Sequence, residues 1–213
     1  LLARLSSNVP DRLQQVFRNM LRLTAFLSCP ALFGLALVAP EFIEIAITAK
    51  WLPSAYLMQI LCIGCAFVPI SSFYSNFVVS QGKSQLFMWS TMALCVAQLL
   101  LLIGMYRFGV QAMVIAYLVL NTLWLFVWHR FVQRLIGLKL RLALRDVLPF
   151  CAIAALSMAL AWFAARGVTN IYASPVIKVV VAAASYVLML RLLGAQIMIE
   201  CLEFLLQKMG RRK

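Results

Sequence analysis

The sequence has 213 residues, of which 65% are hydrophobic and only 12% are charged, and its formal net charge is +13. A soluble domain has about 45–50% apolar and about 25% charged residues, and a chain of this length has too little interior to hide so much apolar surface. Disorder is excluded too, because it requires low hydrophobicity. The composition therefore predicts an integral membrane protein.

Six stretches are long and apolar enough to cross a bilayer, whose hydrocarbon core of about 30 Å requires about 20 helical residues. They lack the alternation typical of a membrane β-barrel, so the sequence predicts an all-α, polytopic bundle of six transmembrane helices. An amphipathic helix over residues 1–22 is predicted to lie at the cytoplasmic interface and to run into the first span. The membrane domain covers 23–193, with spans at about 23–40, 54–79, 84–106, 110–129, 147–165 and 174–192.

The second span lies in an apolar run from Trp51 to Gly82, which contains no plausible polar turn in its middle. We predict one long helix that is kinked at Pro69. After the last span, residues 194–213 are predicted to form a basic, amphipathic cytoplasmic tail. Residue 1 is Leu, and we expect the chain to be a piece of a longer protein.

The basic residues are distributed unevenly between the two sides of the predicted bundle. With the N-terminal end in the cytoplasm, 15 Lys and Arg residues fall inside and 4 fall outside. This bias predicts that both ends are cytoplasmic. It also explains the basicity by topology, so no nucleic-acid partner is expected.

No catalytic or metal site is visible in the sequence. Cys62 and Cys65 have the spacing of a redox or zinc pair, but a thiolate is unfavourable in hydrocarbon and no second pair completes a site, so both are predicted to be core residues. His129 is predicted to be interfacial, and Glu41 and Glu44 are predicted to face water at the outer membrane edge. We expect a protein without enzymatic activity and without a cofactor.

Polar side chains inside the spans are more informative, because burying them in lipid without partners is costly. Interhelical hydrogen bonding is the plainer interpretation. The alternative is that some of them line a water-filled path for a polar solute. Lys178 and Arg107 would then be the outer cations for an anionic solute, and Lys178 is close enough to the outer surface to snorkel. The candidate lining residues are Ser72, Asn76, Gln98, Asn121 and Lys178.

Several features over Leu1–Lys83 follow each other in a familiar order. A basic amphipathic helix leads into a span that contains Pro30, a segment Ala49-Lys50-Trp51-Leu52-Pro53-Ser54-Ala55 follows, and the kinked span ends in Ser80-Gln81-Gly82-Lys83. This order resembles the region that begins at the ninth span in polysaccharide transporters of the multidrug/oligosaccharidyl-lipid/polysaccharide exporter superfamily. Those transporters are bacterial flippases for lipid-linked O-antigen and exopolysaccharide units. Glycine is more usual in them at the position of Ala49.

The resemblance implies that the chain is the C-terminal half of a parent with about fourteen helices in two lobes. Such a parent would lie in the bacterial inner membrane and move polyprenyl-pyrophosphate-linked oligosaccharide outwards by alternating access around a central cavity. Its partners would be this substrate, the membrane lipids and the missing N-terminal lobe. No specific binding residue carries over.

Other functions stay open at this point. A multidrug exporter of the same superfamily commonly uses buried acidic residues for cation coupling, and the predicted spans have none in their middles. A membrane-embedded glycan polymerase or assembly protein is the other alternative. A polymerase would need a large loop or a cluster of His, Asp and Arg, and neither is seen.

Overall fold

The computed structural model describes residues 2–46, 48–166 and 173–192. Over these residues the chain is an all-α, polytopic membrane bundle, as predicted, with six segments long and apolar enough to span a bilayer. The predicted tail over 194–213 lies outside the described residues. The helices are α1 (Leu2–Ala46), α2 (Leu52–Cys65), α3 (Val68–Ser80), α4 (Ser84–Met105), α5 (Val110–Ile136), α6 (Leu140–Ala165) and α7 (Ala173–Leu192).

The predicted amphipathic segment and the first span form one uninterrupted helix of 45 residues, α1. Phe17 is buried in its first half and packs against Phe73 and Phe77 of α3, with ring centroids 4.9 and 4.7 Å apart. Val16 and Met20 stay about half exposed on another side of the helix. The segment is therefore partly built into the bundle core, and its placement at the membrane surface stays a prediction.

Pro30 and Pro40 lie inside α1 without ending it. A proline has no N–H for the carbonyl four residues earlier, which here belongs to Phe26 and to Ala36. Other helices supply the missing donors: the Tyr186 hydroxyl of α7 donates to the Phe26 carbonyl at 3.0 Å, and Nε2 of Gln59 in α2 donates to the Ala36 carbonyl at 3.2 Å. Because hydrocarbon offers no water as a substitute, these two side chains allow α1 to continue through both prolines.

The second predicted span is one apolar segment, Pro53–Ser80, as predicted, but a break divides it into two helices, α2 and α3, where a kink was expected. Pro69 is the second residue of α3, and the chain turns at Ala66 and Phe67 just before it. There the backbone N–H groups of Ala66 and Phe67 donate to carbonyls only three residues earlier. The missing N–H of Pro69 leaves the Cys65 carbonyl without a helical donor, so the α-helical ladder stops at this point.

Consecutive spans run in opposite directions through the bundle. The start of α1 lies beside the end of α3 and the start of α6, and the end of α1 lies beside the start of α7. One end of the bundle, which we call the basic end, therefore collects most of the cations whose side chains are described. These are Arg12, Arg18, Arg22, Lys83, Arg130, Arg134, Lys139, Arg141, Arg145 and Arg191.

Helix α1 is the central element, since it packs against α2, α6 and α7 and also contacts α3 and α5. Helix α4 is peripheral and packs mainly against α3 and α5. A buried cluster towards the basic end joins aromatic and aliphatic side chains of α1, α3, α5, α6 and α7. This arrangement leaves a cleft between α3, α4 and α5, where the polar residues of the spans collect.

Candidate functional site

The cleft between the α2–α3 segment, α4 and α5 has a volume of about 230 Å³. Its apolar walls include Phe67, Phe87 and Trp128, and Gly64 also lines it. Hydroxyl and amide groups face each other across the remaining surface. They belong to Ser71, Ser72, Ser75, Thr91, Asn121 and Thr122.

Helical geometry explains why these groups share one cleft. Ser71 and Ser75 are one turn apart on α3, directly after the break before Pro69. Asn121 and Thr122 lie near the middle of α5, and Thr91 lies two turns into α4. The cleft is therefore enclosed by membrane-spanning helices rather than by loops.

Several of these polar groups already donate to backbone carbonyls of their own helices. The Ser75 hydroxyl donates to the Ser72 carbonyl at 3.0 Å, and the Thr122 hydroxyl donates to the Leu118 carbonyl at 2.9 Å. Nδ2 of Asn121 donates to the Tyr117 carbonyl at 2.8 Å. The hydroxyls of Ser75 and Thr122 therefore present oxygen lone pairs to the cleft, while Asn121 keeps a second N–H, so the cleft suits a ligand that carries both hydrogen-bond donors and acceptors.

Two of the five predicted lining residues, Ser72 and Asn121, line this cleft. Gln98 supports it from outside, since its Nε2 donates to Oδ1 of Asn121 at 3.3 Å. Asn76 is exposed one turn beyond Ser72 and is not part of the lining. Gln98 and Asn121 thus fit both interpretations of the polar residues: they form a hydrogen bond between α4 and α5, and they lie at the cleft.

The fifth candidate, Lys178, does not line the cleft. It lies towards the end of the bundle that is opposite the basic end. It is buried, and its Nζ forms an ion pair with Oε1 of Glu41 in α1 instead of extending to the outer surface. The Ser174 hydroxyl donates to the same carboxylate oxygen at 3.0 Å. The prediction that Glu41 faces water was wrong in this respect: α1 continues to Ala46, which turns Glu41 towards α7. Arg107 is exposed in the turn after α4.

A larger charged cluster at the basic end was not predicted. The Asp146 side chain is only 1% exposed, and it binds the guanidinium groups of both Arg18 and Arg22. Nε and Nη2 of Arg18 donate to its two oxygens at 2.6 and 3.0 Å, and Nε and Nη2 of Arg22 donate to Oδ1 at 2.7 and 2.5 Å. The sequence did contain a clue to this cluster. Asp146 is an acidic residue among the basic residues in the first turns of α6, and Arg18 and Arg22 are one turn apart on α1.

His129, for which an interfacial position was predicted, is buried within the protein, with 3% of its surface exposed. Its Nδ1 lies 3.3 Å from the Tyr74 hydroxyl. The helix α5 continues to Ile136, two turns beyond His129, and this continuation places the imidazole inside the core cluster. No signal for this burial is visible in the local sequence.

Cys62 is buried and Cys65 is partly buried, in line with the expectation of core residues. The closest thiols are instead Cys29 of α1 and Cys151 of α6, whose Sγ atoms are 2.8 Å apart. Within the described residues, no group of three or more His, Cys, Asp or Glu side chains is arranged to hold a metal ion.

Comparison with known proteins gives limited but consistent similarities. Residues 1–56 match a family model described as "Polysaccharide biosynthesis protein". A stretch of 76 residues is 28% identical to an "Uncharacterized membrane protein in cps region" of Klebsiella pneumoniae and covers 36% of this chain and 16% of that protein's length. No solved structure matches the chain. The chain is thus a multi-pass membrane protein that is similar, over its first 56 residues, to a family of polysaccharide biosynthesis proteins.

Proposed function

We propose that the chain is the C-terminal part of a bacterial inner-membrane flippase that moves polyprenyl-pyrophosphate-linked oligosaccharide units to the outer leaflet, for lipopolysaccharide or exopolysaccharide synthesis. In this proposal both ends are cytoplasmic, the transport is by alternating access, and no bond is made or broken. The similarity to polysaccharide biosynthesis proteins over residues 1–56 supports it. So does the resemblance of the motifs over Leu1–Lys83 to polysaccharide transporters.

The observation that carries the proposal is the polar cleft between α3, α4 and α5. Asn121 lies eleven residues from the start of α5 and nine residues before Arg130, which places its amide near the middle of a span. Polar groups at this depth are costly unless they meet polar partners, and they often mark the path of a substrate. A sugar meets this requirement, because its hydroxyls donate to the Ser and Asn oxygens while Phe87 and Trp128 offer apolar faces to its C–H groups.

The lining of the cleft also favours a glycan over a cationic drug as its ligand. Its lining contains no charged side chain. Asp146 and Glu41 are ion-paired away from it. Glu44, at the far end of α1, is not part of its lining. A neutral lining of hydroxyl and amide groups suits an uncharged polyol, whereas a binding site for an organic cation would be favoured by a nearby carboxylate.

The test uses bacteria in which the complete gene for this protein carries single substitutions. Asn121→Leu and Ser72→Ala each remove polar groups of the cleft. Ser185→Ala is the control, because its hydroxyl lies on α7 and donates to the Ala182 carbonyl of its own helix at 3.1 Å. Protein levels in the membrane are matched before transport is compared.

We expect the cleft variants to accumulate lipid-linked glycan in the cytoplasmic leaflet and to lose surface polysaccharide, and we expect the control to resemble the wild type. Deletion of the whole gene should give the strongest accumulation. Normal surface polysaccharide after deletion would contradict the flippase. Normal export by well-folded cleft variants would show that Asn121 and Ser72 contribute to helix packing and not to transport.

A further inference from the structure

The two arginines bound to Asp146 form a fixed, positively charged fork at the basic end of the bundle. Arg18 and Arg22 are one turn apart on α1, and both guanidinium groups approach the single carboxylate of Asp146 on α6. Four contacts of 2.5–3.0 Å hold them. Because Asp146 is 1% exposed, the carboxylate is a rigid anchor inside the protein rather than a mobile surface group.

The charges in this fork do not balance. Two guanidinium groups face one carboxylate, which leaves one positive charge in excess. A guanidinium has five N–H donors, and Asp146 engages only the Nε and Nη2 groups of each arginine. The Nη1 groups remain outside this contact, and the Arg18 and Arg22 side chains are 28% and 33% exposed. The two arginine side chains are therefore partly exposed, and their Nη1 groups are not used by Asp146.

The fork lies about one hydrocarbon thickness away from the Glu41–Lys178 ion pair along α1. Arg22 is 19 residues before Glu41 on the same helix, a distance of about 28 Å at the usual rise of about 1.5 Å per residue. This distance is close to the hydrocarbon thickness of about 30 Å. A bilayer with one boundary at Glu41 and Lys178 would therefore have its other boundary at Arg22 and Arg18, where its phosphates are concentrated.

The surroundings of the fork also favour an anion. Arg12, Lys139, Arg141 and Arg145 have exposed side chains at the same end of the bundle. Asp146 is already occupied by the two arginines. Planar guanidinium groups with paired donors match the oxygens of a phosphate.

We propose that Arg18 and Arg22, held by Asp146, form a binding site for the phosphate group of an anionic phospholipid. The lipid is favoured over a soluble phosphate because a phosphodiester is the anion already present at this depth of the membrane. Basic pockets between transmembrane helices commonly hold acidic headgroups in this way. This proposal does not depend on the transport of a glycan.

The test measures lipid binding to the purified, complete protein in a neutral detergent. Native mass spectrometry counts bound phosphatidylglycerol or, in a parallel titration, zwitterionic phosphatidylcholine. Replacing both arginines alone would leave Asp146 buried without a partner, so the test variant combines Arg18→Gln, Arg22→Gln and Asp146→Asn. Arg145→Gln is the matched control, since it removes an exposed charge next to Asp146 but no part of the fork.

We expect the wild type and the Arg145→Gln variant to retain phosphatidylglycerol in preference to phosphatidylcholine. The triple variant should bind it at least about tenfold more weakly, because charge-assisted hydrogen bonds to phosphate are lost. Equal binding by the triple variant and the wild type would overturn the proposal. So would an equal loss in Arg145→Gln, which would indicate diffuse attraction to the basic end.

A second titration separates the two sources of phosphate. Inorganic pyrophosphate is added to the protein in detergent without phospholipid, and thermal stability is measured. We expect no stabilisation that depends on Arg18 and Arg22. Arginine-dependent stabilisation by pyrophosphate, without arginine-dependent retention of phosphatidylglycerol, would assign the fork to a soluble phosphate and contradict the lipid site.

Discussion

Tyr186 completes the hydrogen bonding of α1 at the point where Pro30 interrupts it. The proline removes the donor for the Phe26 carbonyl, and the Tyr186 hydroxyl takes its place from a helix that lies 160 residues further along the chain. Gln59 does the same for the Ala36 carbonyl at Pro40. At Pro30 and Pro40 a neighbouring helix thus supplies the donor that the central helix lacks.

We expect Tyr186→Phe to lower the free energy of unfolding in detergent by about 1–2 kcal/mol, since it leaves a buried carbonyl without a donor while keeping the ring. In a Pro30→Ala background the backbone N–H returns, so the same change should cost clearly less. Thermal unfolding of the four proteins measures this coupling. Tyr117→Phe, at an exposed tyrosine, is the control. Equal losses in both backgrounds would contradict the compensation.

The ion pair of Glu41 and Lys178 predicts that substitutions of these two residues have coupled effects on stability. Both side chains are largely buried, at 15% and 10% exposure, so neutralising one of them leaves an uncompensated charge. Glu41→Gln and Lys178→Met should each reduce stability by about 2–4 kcal/mol, and the double variant should lose much less than the sum. Additive losses would show that the two residues act independently. Lys178→Met variants that fold normally but lose transport would instead favour a role in the solute path.

Gly64 marks a close approach between α2 and α5. A Cβ atom at this position would lie 2.7 Å from both Cδ atoms of Leu118, which is itself buried. Gly64→Ala should therefore destabilise the protein by about 1–3 kcal/mol, and adding Leu118→Ala should cancel part of that loss. Gly104→Ala is the control, because nothing lies within 4 Å of its Cβ position. An unchanged melting temperature in Gly64→Ala would show that the two helices separate easily.

Cys29 and Cys151 should cross-link α1 to α6 under mild oxidation. The Sγ atoms are 2.8 Å apart, and a disulfide forms at about 2.05 Å. In a variant that keeps only these two cysteines and carries a protease site in the α5–α6 connection, the two fragments should stay together on a non-reducing gel after treatment with copper phenanthroline. A variant that keeps Cys95 instead of Cys151 should separate, since Cys95 is exposed on α4.

The orientation of the bundle can be tested with single cysteines at exposed positions of its two ends. Arg134→Cys lies at the basic end and Arg107→Cys lies in the turn after α4. In a background without other cysteines, a membrane-impermeant maleimide should label position 107 in intact spheroplasts and position 134 only after lysis. Labelling of both from outside would contradict the proposed topology.

The all-α membrane fold was predictable, because span length and hydropathy depend only on local composition. The ends of the helices were less predictable. The sequence favoured a first span that stopped at Pro40, yet α1 continues to Ala46, since the donor for the Ala36 carbonyl comes from Gln59 on another helix. The fourth span was predicted to end at residue 129, where the uncharged stretch stops before Arg130. The helix continues to Ile136 and is ended by Gly137, which has a left-handed backbone with φ of 69°.

The same limit applies to the sites. The polar residues of the spans were identifiable by their cost in lipid, but which of them share a cleft depends on how α3, α4 and α5 pack. The partners of Asp146 are 124 and 128 residues away in the sequence, and Cys151 is 122 residues from Cys29. Nothing in the spacing of single helices encodes contacts over such separations.

Helix α4 is peripheral and has few contacts with the rest of the described chain. Most of its large apolar side chains are exposed, Leu99, Leu100 and Ile103 by 60–70%. A change in hydrocarbon thickness is accommodated most easily by the tilt of a helix with few protein contacts. Helix α4 should therefore adjust before the rest of the bundle, and a spin label on Cys95 would record that movement.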